Sequence, residues 1–131
     1  MDWIKARFEC SMEHVWASLK DRLKQDAPDW EKKVKPQGSI ARFLEFTDEN
    51  RSLRITAFRQ ETNTNGSVFV SRTNRKISGY QQIDLDEDTK TPAMEFSPTV
   101  NSQGECRLLW NDRELEIWQV SRLLLEPILF S

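Results

Sequence analysis

An α+β fold is predicted, with an antiparallel sheet of about five to seven strands covered by an N-terminal and a C-terminal helix in two layers. Three observations lead there. Met12, Val15, Trp16, Leu19 and Leu23 recur at the spacing of a helix that buries one stripe. Leu53, Ile55 and Ala57 alternate with polar or charged neighbours, which is the period of a half-buried strand. Short turn-like stretches separate the middle segments, and short connections imply antiparallel pairing. With 131 residues the chain suits one domain, 1–131, and Leu, Ile, Val and Phe supply about a quarter of it, enough for a core.

In chain order, residues 3–9 place Ile4, Ala6 and Phe8 on one side and Trp3, Lys5 and Arg7 on the other, which predicts a first strand. Ser11 is a suitable N-cap for the following helix, with Glu13 in its first turn to complement the helix dipole. Ala27-Pro28 predicts the end of that helix, followed by a short helical turn around Trp30 and a polar loop. Strands are expected over 40–46, 51–60, 67–73 and 76–85, and shorter ones over 94–96 and 106–110 around a loop from Pro98 to Gly104. Thr47 to Asn50 reads as a turn, and Asn65-Gly66 as the tip of a tight hairpin. The last helix is expected over 112–126, capped by Asn111 or Asp112 and ended or kinked at Pro127.

Composition excludes several chemistries. Four scattered glycines cannot build a glycine-rich phosphate cradle. One histidine, His14, leaves a serine hydrolase without alternatives for its base, and no G-x-S-x-G occurs. Cys10 and His14, four apart at a helix start, have the spacing of an activated thiol, but no orienting group or oxyanion donor accompanies them. Asp84, Asp86, Asp88 and Glu95 occupy positions of a calcium-loop frame, yet Thr89 stands where that loop needs glycine and Pro92 interrupts it. No cofactor and no metal are expected. Two cysteines without an apolar leader predict reduced thiols and a cytoplasmic protein, and no apolar run approaches a membrane span.

The net charge of −2 hides a segment from Arg51 to Lys76 with six basic residues against Glu61 alone. Only Phe58 and Phe69 accompany these charges, whereas nucleic-acid surfaces interleave several exposed aromatics, so a nucleic-acid partner is disfavoured.

Ile4 to Phe8 followed by Ser11-Met-Glu-His-Val15-Trp16 resembles the opening strand and first helix of helix-grip (START-like) domains over about a dozen residues. That resemblance implies a sheet wrapped on a C-terminal helix around an apolar ligand. The helix interrupted at Pro127 departs from the family's long gripped helix, and membership is not claimed.

Five tryptophans exceed what the stripes need, and the tail from Val120 to Phe130 is apolar around more than one helix face. The expected function is therefore a non-catalytic interaction module that binds another protein or itself, with Trp30, Trp118, Leu124, Ile128 and Phe130 as its candidate surface. The alternative is a carrier of a small apolar ligand held between sheet and helix.

Overall fold

The computed structural model describes residues 2–33, 43–59, 64–83 and 90–129, with the backbone alone at 30–33, 43, 58, 59, 64 and 65. The fold is α+β. Helices α1 (Trp3–Glu9) and α2 (Met12–Lys33) precede strands β1 (Phe43–Asp48), β2 (Ser52–Arg59), β3 (Thr64–Arg72), β4 (Ile77–Ile83), β5 (Met94–Val100), β6 (Cys106–Trp110) and β7 (Arg113–Leu115), and α3 (Ile117–Leu129) closes the chain. The strands form one antiparallel sheet in the order β1-β2-β3-β4-β5-β6-β7, each beside its neighbour in sequence.

The predicted first strand is a helix. Seven residues fit either period, since Ile4 and Phe8 are also four apart, and Trp3–Glu9 contains few β-branched side chains. Asp2 tips the balance: its carboxylate accepts from the Lys5 backbone N–H at 3.0 Å and caps the helix. The resemblance to helix-grip domains thus loses the strand on which it began. Ser11 caps α2 as expected, its Oγ accepting from His14 N at 3.4 Å. The helix then runs through Pro28 to Lys33 as one 22-residue element, correcting the expected stop. Pro28 frees only the carbonyl of Lys24, an exposed residue whose carbonyl water can satisfy, while Ala27 remains buried.

Register explains the core. Leu53, Ile55 and Ala57 on β2 stand opposite Val70, Val68 and Gly66 on β3, and Val68 and Val70 face Gln81 and Gly79 on β4. All of these but Gly66 are buried, together with the α2 stripe Met12, Val15, Trp16, Leu19, Leu23 and Ala27. Asn65-Gly66, expected at a hairpin tip, lies inside β3, and the β2–β3 connection falls outside the described residues. Gly66 serves packing instead: a Cβ there would stand 3.3 Å from Ile128 Cβ, so its hydrogen lets α3 approach the sheet.

Helix α3 is clamped between the sheet and α2. It buries Val120, Ser121, Leu124, Leu125, Ile128 and Leu129, and Ser121 Oγ donates to Asp26 Oδ2 of α2 at 2.7 Å. Of its apolar tail, Val120, Leu124, Leu125, Ile128 and Leu129 are thus covered within the chain, whereas Leu123 is only half-buried. Pro127 lies within the helix rather than at its end. At the other edge, Lys20 and Lys24 of α2 both hold Asp48 of β1, and Trp16 Nε1 donates to Asn50 O at 3.0 Å. The hydrogen bonds from the two lysines keep the Asp48 carboxyl below its ordinary pKa.

The expected free thiols are a disulfide. Cys10, between α1 and α2, is bonded to Cys106 at the start of β6, with Cα atoms 5.3 Å apart. Sequence separation alone could not reveal this, because the meander that brings residue 106 beside residue 10 is a tertiary property. Among the described residues no helix is long and apolar enough to cross a membrane.

Candidate binding groove

The groove begins with a turn. Asn111 and Asp112 take φ values of 49° and 63°, the left-handed pair of a two-residue hairpin, and Trp110 pairs with Arg113 across it. Asn and Asp were expected to cap the last helix, but they tolerate this conformation as readily as they cap. The hairpin delays α3 to Ile117, where Glu116 takes the N-cap: its carbonyl accepts from Gln119 N and Val120 N, and Gln119 Oε1 reaches back to Glu116 N at 2.8 Å.

Two ridges of α3 then face the hairpin: Trp118, Arg122 and Glu126, and beside them Gln119, Leu123 and Pro127. With Trp110, Arg113 and Leu115 they line a groove of about 630 Å³, half open to solvent. Trp118 is 43% exposed, an unusual state for so large an apolar surface, and its Nε1 donates to Glu116 Oε2 at 2.6 Å. Trp110 is backed by Phe96, with ring centroids 6.1 Å apart. Arg122 donates to Glu126 Oε2 at 2.7 Å, and this carboxylate raises the guanidinium pKa further. The Arg113 side chain makes no ion pair or hydrogen bond among the described residues. The groove can therefore seat an apolar group between two indoles and offer a guanidinium to a carboxylate or phosphate.

Of the residues expected to form an interaction surface, Trp118 lies in the groove. Leu124 and Ile128 are buried under α3, against Gly79 and Gly66. Trp30 falls on α2, with only its backbone described, and Phe130 lies outside the described residues. Sequence reading missed Trp110, Arg113, Leu115 and Leu123 as a set. The signal was available in Asn111-Asp112, which as a hairpin turn brings β7 back beside α3.

The other constellations come apart. Cys10 is in the disulfide, so Cys10 and His14 offer no thiol, and His14 instead meets the Phe8 ring edge-on at 4.6 Å. The acidic stretch 84–89 lies outside the described residues, while Glu95 pairs with Lys76 at 2.9 Å. Among the described residues no three His, Cys, Asp or Glu side chains gather as metal ligands would. Arg72, on the helix-facing side of β3, has buried Nε and Nη1 atoms without hydrogen bonds among the described residues, and Glu13 lies 3.9 Å from its Nη1.

On the opposite face of the sheet, Arg54, Phe69, Tyr80 and Lys90 form a continuous stack. The Phe69 and Tyr80 rings lie 5.0 Å apart at 16°, with Arg54 5.8 Å and Lys90 5.1 Å from the rings they cover. Each ring is thus flanked by the other ring and by a cation, so a nucleobase would have to displace a cation in order to stack.

No protein-family model, curated protein or solved structure gives a significant match to this chain.

Proposed function

We propose that the protein is a non-catalytic interaction module that engages another protein through the groove between the β6–β7 hairpin and α3. The observation that carries this reading is the pair Trp110 and Trp118 lining a half-open groove of about 630 Å³ beside Arg113, whose side chain has no ion pair among the described residues. Tryptophan and arginine concentrate binding energy at protein interfaces because they bring large area and forked hydrogen bonding at small entropic cost. The openness favours a partner's side chain over an enclosed ligand, since small-molecule sites bury most of their occupant.

Phage-displayed random peptides panned against the intact chain test the reading. Retained peptides should shift the indole N–H resonances of Trp110 and Trp118 and lose binding to the Trp118→Ala variant. Peptides that bind and leave both indoles unmoved would place recognition elsewhere.

A carrier of a small apolar ligand is the second reading, favoured by a volume that suits such a molecule. Native mass spectrometry of freshly purified protein separates the two, because a carrier retains its cargo. A cytoplasmic home belongs to the proposal only with both cysteines reduced; the bonded Cys10–Cys106 pair fits an oxidising compartment better.

A further inference from the structure

Helix α1 lies open on the surface. None of its residues is buried, and Trp3, Ile4 and Phe8 each leave about two-thirds of their surface open, at 65%, 64% and 63%. A free helix with this pattern would fray, yet α1 is capped by Asp2 and anchored by the disulfide one residue beyond its end. It is presented rather than buried, and a preorganised apolar ridge loses little entropy when it docks.

The same chain carries the complementary surface. Ile4 and Phe8 stand one turn apart, the spacing with which a helix lays an apolar ridge into a groove. The groove offers the flat indoles of Trp110 and Trp118 to such a ridge. Charges match as well. The Arg113 side chain in the groove has no ion pair or hydrogen bond among the described residues and suits Glu9 of α1, held only loosely by Lys5 at 3.9 Å, whereas Glu126 on the rim is already paired with Arg122.

We infer that two copies of this chain associate reciprocally, the α1 ridge of each seated in the α3–hairpin groove of the other. This rests on the groove being the recognition site and names the chain itself as an occupant. Area decides for a reciprocal pair over a single contact. Burying the open parts of two aromatics and an isoleucine removes on the order of 400 Å² per side, about half of the roughly 800 Å² per partner that stable complexes bury. Two symmetric contacts bury a groove wall as well as a ridge on each chain and come closer to that size, and a two-fold pair closes where a single head-to-tail contact would propagate.

Sedimentation equilibrium over a wide concentration range, with the oxidised full chain, tests the inference. A species of twice the 15.4 kDa chain mass should grow with concentration and nothing larger should follow. The double variant Ile4→Glu/Phe8→Glu and the variant Trp118→Ala should each raise the dimer dissociation constant by about tenfold or more, the effect of removing an aromatic anchor. All these side chains are open to solvent, and circular dichroism checks that both variants fold. An equimolar mixture of the two keeps one intact ridge and one intact groove, so it should dimerise with intermediate affinity. A monomer at every concentration overturns the inference, as does a dimer indifferent to either variant or an open series of higher oligomers. Peptides that still shift Trp118 in a strictly monomeric protein would leave the groove's role standing, so the two failures are distinguishable.

Discussion

Gln81 completes the hydrogen bonding that Pro127 interrupts. Proline has no N–H, so the Leu123 carbonyl four residues before it has no helical partner, and Gln81 Nε2 from β4 donates to that oxygen at 3.0 Å and to Leu124 O at the same distance. Thr91 Oγ1 accepts from Gln81 N and donates to Gln81 Oε1, each at 2.8 Å, which fixes the amide. A buried glutamine in a sheet core is costly unless every polar atom is used, and here the helix supplies the use. Replacing Gln81 by Leu should cost about 1–2 kcal/mol, the lower part of the penalty for an orphaned carbonyl, since that of Leu123 is only partly buried. In a Pro127→Ala background the restored N–H takes that carbonyl, so the cost should shrink. Urea denaturation of the four proteins in the cycle measures the coupling, and additive effects would disprove the link.

Gly79 sets how closely α3 lies on the sheet. A Cβ at this position would fall 2.5 Å from Leu124 Cδ2, inside contact distance, and Leu124 is fully buried with little room to turn away. Gly79→Ala should destabilise by about 1–3 kcal/mol through overpacking. Combined with Leu124→Ala, which empties the space, it should cost much less than it does alone. Thermal melts of the three variants give the comparison.

Asp48 links stability to pH. Lys20 and Lys24 lower its carboxyl pKa in the folded protein, so the ionised form favours folding. A group with a depressed folded pKa contributes stability above its unfolded value of about 3.9 and loses it as pH falls through the folded value. Asp48 is only partly shielded, so Asp48→Asn should cost about 0.5–1 kcal/mol near neutrality. That difference from the parent protein should vanish well below pH 4. A gap unchanged at low pH would mean that the asparagine acts through packing.

Long periodic elements are legible in the sequence. The α2 stripe spans three turns, and the β2 alternation puts Leu53, Ile55 and Ala57 where they are buried. Short or dual-purpose signals misled. Trp3–Glu9 fits both periods, and Asn111-Asp112 suits a helix cap as well as a left-handed turn. Pro28 reads as a stop and Pro127 as a stop or a kink because a sequence does not show which carbonyl is freed or what can satisfy it. The groove was hidden for a related reason: Trp110 and Trp118 bracket the start of the last helix in the sequence, but they line one groove only because a hairpin and a helix come together, and that apposition depends on the misread turn.

The Cys10–Cys106 bond closes a loop of 96 residues across nearly the whole fold. A crosslink acts chiefly on the unfolded chain, and the entropy it removes grows with loop length, reaching about 4–5 kcal/mol for a loop of this size. Domains of this kind are stable by only about 5–15 kcal/mol in total, so the bond is a large fraction of what keeps the chain folded. Cys106→Ser should therefore lower the urea midpoint steeply under oxidising conditions. Adding dithiothreitol to the parent protein should bring its midpoint down to that of the variant, while the variant itself should not respond. The loss should also free α1, because none of its residues is buried and the bond sits one residue past its end. Amide exchange over residues 3–9 should accelerate on reduction before the sheet amides do. Equal midpoints with and without reductant would show that the sheet and α2 hold the fold unaided.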